Sequence, residues 1–169
     1  GVLRGGPVKL ASLASLESFA LLGPGFGGDG WTLLSGLREA SGPPDLVYAP
    51  FEAQGSAPRR FVAERREAVT VEVEPPLAAP QIVLRAEGYR EAVARIREAI
   101  AAGDVYQVCY TVRADVRIAG GAELLATMCR RGVPRFAAWL RLPEGEEFVS
   151  ASPELFFETD GRRIHTEPM

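Results

Sequence analysis

The sequence contains a single histidine, His165, and two cysteines, Cys109 and Cys129. That scarcity removes several chemistries at once. A Ser/His/Asp relay cannot be built around a histidine that sits in a strand-like stretch beside Arg163, where it reads as a structural residue. Two isolated thiols have neither zinc-ligand spacing nor a disulfide framework, so they read as reduced, buried side chains of a cytosolic protein. No cluster of His, Cys, Asp or Glu has the spacing of a metal site. An excess of one charge is also missing, since 19 Lys and Arg face 22 Asp and Glu, a net charge of −3, with Arg and Glu interspersed. No basic face recruits nucleic acid by counterion release, and no polybasic cluster addresses a membrane. Long apolar runs are absent too. The most apolar early stretch, LASLASLESFALL behind Lys9, is interrupted by Glu17 and serines, which argues against a signal-peptide core and for a cytoplasmic location.

What is present is ordinary for a globular chain: 47% hydrophobic and 24% charged residues over a length of 169. A complete domain of such a length buries roughly 68–70% of its unfolded surface, so a core is within reach. Short strands separated by glycine and proline are predicted at Val8-Lys9-Leu10, Phe19 to Leu22, Trp31 to Leu34, Val47-Tyr48, and Phe61 to Glu74 with a break near Arg66. The loop GPGFGGDG lacks the Lys-Ser/Thr ending of a phosphate loop and reads as a connection between strands. Tyr89, Ala92, Val93, Ile96 and Ile100 recur at helical spacing, and Gly103 stands where a left-handed C-cap belongs.

Period-two alternation through DVYQVCYTVRADVRI predicts one long strand over 104–118. A short helix from Ala122 to Arg131 and an alternating strand through Phe136, Ala138, Leu140 and Leu142 follow. Pro143 to Glu146 turns that strand into the next, at Phe148 to Ser150. Asp160-Gly161 is a two-residue type I′ signal joining Leu155–Thr159 to Arg162–Thr166. These elements predict an α+β fold, rich in antiparallel sheet with a few helices. The composition break at Glu74-Pro75-Pro76 divides it into an N-terminal β subdomain at 1–74, a linker and strand at 75–87, and a further domain from 88 to 169 that stops within a hairpin and is expected to be truncated.

Glu154 is the one side chain in an unusual local setting, a glutamate after Ser-Ala-Ser-Pro at a strand start in an otherwise apolar or small stretch. Such a carboxylate either braces a neighbouring turn through local backbone donors or is desolvated into a general acid, and the local pattern leaves both open.

Three strings in fixed order, AIAAGDVYQVCYTVR, RFAAWL and VSASPELFF followed by TEPM, resemble the chorismate-utilising enzymes. That family includes anthranilate synthase component I, aminodeoxychorismate synthase component I, isochorismate synthase and salicylate synthase. The likeness is strong over 88–169, and Asp104, Tyr106, Gln107 and the ending Pro168-Met169 are most similar to aminodeoxychorismate synthase component I. The resemblance implies that Glu154 is the acid that helps the C4 hydroxyl of chorismate leave. It also implies a lysine after Pro-Met that attacks C2, Mg²⁺ held by two glutamates beyond this chain, and ammonia from a glutamine amidotransferase subunit or domain. SLESF is similar to a segment that lines an amino-acid pocket in tryptophan-sensing members. Ser18, Arg135, Phe136 and Ala137 are therefore the expected effector pocket, with Arg135 standing where the family has a proline and weakening the case for tryptophan. The alternatives are anthranilate synthase component I within the same family and, of another class, a regulatory, amino-acid-binding portion with no chemistry of its own.

Overall fold

The computed structural model describes residues 7–49, 57–76 and 79–168. The chain forms two compact units, one of Gly1–Leu77 with Ala119–Met169 and one of Ala78–Ile118.

In the first unit, β1 (Val8–Lys9) leads into α1 (Leu10–Leu13), followed by β2 (Phe19–Leu22), β3 (Trp31–Glu39), β4 (Leu46–Tyr48), β5 (Arg59–Val69) and β6 (Val71–Glu72). The second unit holds β7 (Gln81–Arg85), α2 (Tyr89–Ala102) and β8 (Arg113–Arg117). The first unit resumes with α3 (Gly121–Met128), β9 (Phe136–Arg141), β10 (Glu147–Ser152), β11 (Leu155–Thr159) and β12 (Ile164–Glu167). The α+β class, dominated by antiparallel sheet, is as predicted. The parallel pair β1–β6 is the exception, two residues long.

The main sheet has six strands in the order β10-β9-β2-β3-β5-β4, so it draws on segments from both sides of the proline-rich stretch. Its central strands β2 (FALL) and β9 (FAAWLR) are apolar almost throughout because both of their faces are covered. On one face Phe19, Leu21, Trp31, Leu33, Ala137 and Trp139 pack under α1 and α3 through Leu13 and Leu125. On the other, Ala20, Leu34, Leu37, Phe61, Ala138 and Leu140 fill the inside of the curled sheet. Leu34 and Leu37 reach the same face, which strict alternation forbids. Gly36 between them resolves this with φ +66°, a conformation a side chain resists, and a Cβ there would lie 2.8 Å from the Glu64 carboxylate. The curl brings the two edge strands near each other, with the rings of Tyr48 and Phe148 6.1 Å apart and Arg59 bridging Glu39 and Glu144 at 2.6 and 2.7 Å.

Trp139 is 1% exposed, and its indole N–H donates to Glu147 at 2.9 Å. Arg141 donates to the same carboxylate at 2.9 and 2.6 Å and to the carbonyls of Ala14 and Leu16 at 2.7 and 3.0 Å, tying the end of β9 to the segment before β2.

Several local expectations are corrected. The alternation over 104–118 produces a strand only at β8, because strand structure needs a partner and β7 is only five residues long. In the preceding segment Tyr110 folds back onto Tyr89, ring centroids 5.7 Å apart, and Tyr106 is 94% exposed. Cys129 is buried as expected, but Cys109 in that segment is exposed. Leu10 opens α1 instead of ending β1. The strand predicted from Phe61 runs through Arg66 unbroken and is interrupted only at Thr70, because β3 pairs with it as far as Val69. The α2 helix ends at Gly103, φ +83°, as predicted.

Candidate active site

β10 leaves the main sheet after Ser152, which pairs with Phe136, and Pro153 turns the chain into the separate β11–β12 hairpin. Glu154 occupies that junction. Its side chain is exposed, and Ser152 Oγ donates to its carbonyl oxygen at 3.2 Å. The turn is thus braced by the glutamate's backbone, and among the described residues its carboxylate has no hydrogen-bond partner in the protein.

Glu154 borders a groove of about 600 Å³. One wall is aromatic: Phe26, from the 3₁₀ turn Pro24–Phe26, meets Phe136 at the start of β9 edge-to-face at 5.6 Å. Leu155, Phe156 and Phe157 of β11 line it as well. Gly25 lets the turn approach β9, since a Cβ there would lie 2.5 Å from the Phe136 ring and 2.8 Å from Arg135 Cγ, and its N–H donates to the Arg135 carbonyl at 2.7 Å. A bulge falls in β11 between Leu155, opposite Glu167, and Glu158, opposite His165. Bulges bend a strand and redirect its side chains, and here Phe156 is left 85% exposed.

The groove's charge is one-sided. Glu154, Glu158 and Asp160 line it, and no Lys or Arg does among the described residues. Asp160 has a local task, accepting from the backbone N–H groups of Arg162 and Arg163 at 2.8 Å each, and these bonds hold its carboxyl below the usual carboxylate range. They also define the turn. Thr159 pairs with Ile164, and positive φ occurs at Gly161 but not at Asp160, so the connection is four residues long and not the two-residue type I′ turn predicted. At the hairpin's other end Glu167 accepts from His165 Nε2 at 2.9 Å and pairs with Arg135. His165 first, and Arg135 with it, hold the Glu167 carboxyl below its ordinary range.

The four residues expected to form an effector pocket do not gather. Ser18 is buried with its hydroxyl bonded to the backbone N–H and C=O of Leu37, at 2.9 and 3.3 Å. It precedes Phe19, which pairs with Arg141, whereas Arg135 lies beyond the Leu22–Ala138 pair at the other end of the ladder. By this register Ser18 falls opposite position 142, seven residues from Arg135, which at ~3.3 Å per strand residue is roughly 23 Å along the ladder. Ala137 points into the core, and its carbonyl is taken by Gly23 N–H at 2.7 Å. Phe136 instead joins Glu154 at the groove, a pairing no local string announced. Asp104, Tyr106 and Gln107 lie in the second compact unit, after α2. For the Mg²⁺ that the resemblance implies, no group of three His, Cys, Asp or Glu side chains among the described residues could hold a metal ion, so these residues do not form its site. No helix among the described residues is long and apolar enough to cross a membrane.

The chain belongs to the chorismate binding enzyme family, whose family model matches residues 39–169. It is similar to anthranilate synthase component 1 of Streptomyces coelicolor, 34% identical over 82 residues, which cover 48% of this chain and 16% of that protein. The chain thus spans about a sixth of the length of the curated relative it matches. No solved structure matches it.

Proposed function

We propose that this chain is part of an enzyme that aminates chorismate, and that its product is 4-amino-4-deoxychorismate. The observation that carries the proposal is Glu154, a carboxyl free of protein partners among the described residues, in the lining of a groove that Phe26, Phe136, Leu155 and Phe156 also line. When a nucleophile adds at C2 of chorismate, the ring double bonds shift toward C4 and the C4–O bond breaks. The departing hydroxyl must take up a proton, and Glu154 supplies it, so that water leaves and the glutamate becomes a carboxylate. A carboxylic acid does this only while protonated, so the step needs Glu154 in its acid form when the C4–O bond breaks. Chorismate carries two carboxylates of its own, and the groove's three acidic residues would repel them. Substrate-gripping cations therefore have to come from outside the groove lining described here. Ammonia, delivered by a glutamine amidotransferase partner, would then add at C4 while the double bonds shift back and the C2 bond breaks, releasing the nucleophile with its electron pair, and the new ammonium group gives up a proton to it.

The aminodeoxychorismate reading rests on the Gly103-Asp104-Val105-Tyr106-Gln107-Val108 string and on Thr166-Glu167-Pro168-Met169. The 34% identity to anthranilate synthase component 1 favours a second reading, anthranilate formation. Supplying the full-length enzyme with chorismate and an ammonium salt and separating the products decides between them. Aminodeoxychorismate, converted to p-aminobenzoate by an added lyase, is the expected product. Fluorescent anthranilate would establish the second reading, and unconsumed chorismate would overturn both.

A further inference from the structure

Arg135 interrupts a pattern, and what it does is visible in the structure. Its guanidinium lies over the Phe136 ring, 5.1 Å from the centroid, its stem packs where a Cβ on Gly25 would otherwise go, and its end pairs with Glu167 on β12. Glu167 stands directly across from Leu155, the residue after Glu154. The hairpin β11–β12 is a two-stranded sheet of its own, and the Arg135–Glu167 pair links its base to β9 of the main sheet. One cation thus stacks on the groove's aromatic wall while holding the strand that faces the start of β11.

We infer that Arg135 is a positioning residue: by gripping Glu167 against β9 it fixes the base of the hairpin and so the direction in which Glu154 enters the groove. The inference rests on the role proposed above for Glu154. The pair itself is half-exposed, and exposed pairs contribute little to stability, so its effect belongs to geometry.

The test uses the full-length enzyme with Arg135→Ala, Arg135→Lys, Glu167→Gln, Glu154→Gln and the double variant Arg135→Ala/Glu154→Gln. Misplacing a reacting group by about 1 Å can cost on the order of 100-fold in rate. Arg135→Ala is expected to lower kcat per folded molecule 10- to 100-fold, on the scale of such misplacement, with KM nearly unchanged. Glu167→Gln should reproduce the loss in part and Arg135→Lys should restore some of it. In the Glu154→Gln background Arg135→Ala should have no further effect, because there is no acid left to aim. Unchanged kcat in both Arg135→Ala and Glu167→Gln, with Glu154→Gln inactive, overturns the positioning role alone. A fully active Glu154→Gln enzyme overturns the proposed role of Glu154, and the positioning inference falls with it. Equal losses from Arg135→Ala with and without Glu154 would also sink the inference, since the arginine would then act on something else.

Discussion

The Glu154 side chain spends no hydrogen bond on the fold among the described residues: its backbone carbonyl braces the turn, and the residue lines the groove. Substituting the carboxyl therefore separates chemistry from stability. In the full-length enzyme Glu154→Gln should leave melting temperature and chorismate affinity unchanged and lower kcat by about 10²–10⁴-fold, the range general acid catalysis supplies. Melting and turnover measured on the same preparation check this, and a destabilised variant with nearly normal kcat would take Glu154 off the list of catalytic residues. At the residue scale the sequence showed this glutamate because its unusual surroundings are local, within the Ser-Ala-Ser-Pro-Glu string. Arg135–Glu167 and Phe26–Phe136 were not legible, since each joins residues far apart in the chain through a turn or hairpin whose placement depends on the whole sheet. Ser18 was legible as a polar residue in an apolar stretch but not as the partner of Leu37, which only the β2–β3 ladder brings to it.

Single elements were read best where their determinants are short-range. Helix α2 carries its own periodicity and its own terminator, Gly103, and its bounds followed. Strands do not carry their partners, which is why the alternation of 104–118 was legible and the absence of a strand over most of it was not. In the β11–β12 hairpin, both arms were visible from pattern, whereas the turn type was decided by Asp160 capping two backbone N–H groups. The hairpin's attachment should also depend on pH. Because the folded Glu167 carboxyl is depressed by His165 and Arg135, its contribution is fully present above the ordinary carboxylate range, near pH ~4.3, and is lost as pH falls through the lower folded value. Thermal melting of the wild-type chain and Glu167→Gln across pH 2–7 should show only a small gap at neutral pH, as a half-exposed pair allows, and that gap should close at the acid end. A gap that is constant or grows on acidification would mean that the ionised carboxylate contributes nothing to holding the hairpin.

On the scale of the whole molecule, burial is concentrated in one of the two compact units. The six-stranded sheet is packed on both faces, with Leu13, Phe19, Leu21, Leu33, Phe61 and Trp139 nearly inaccessible to water. In the unit Ala78–Ile118, every residue of β7 and β8 is exposed, and α2 buries only Ala92. A lone two-stranded sheet is marginal in water, and so is an isolated helix shorter than about 15 residues. The Arg85–Asp115 ion pair across the local ladder, at 2.6 Å, is exposed and worth little to stability. Composition could not reveal this contrast, because Ile82, Val83, Leu84 and Val116 are as apolar in sequence as the residues that fill the core. Cooperative unfolding units follow buried contact density, so opening free energy should differ sharply between the two units. Hydrogen exchange of the 169-residue chain, followed by mass spectrometry, should find amides of β7, α2 and β8 exchanging within seconds, while those of β2, β3 and β9 exchange only on the time scale of global unfolding. Comparable protection in both units would show that the exposed faces of β7 and β8 are covered in solution, by a second copy or by the rest of the chain, and repeating the exchange at several protein concentrations would tell those two apart.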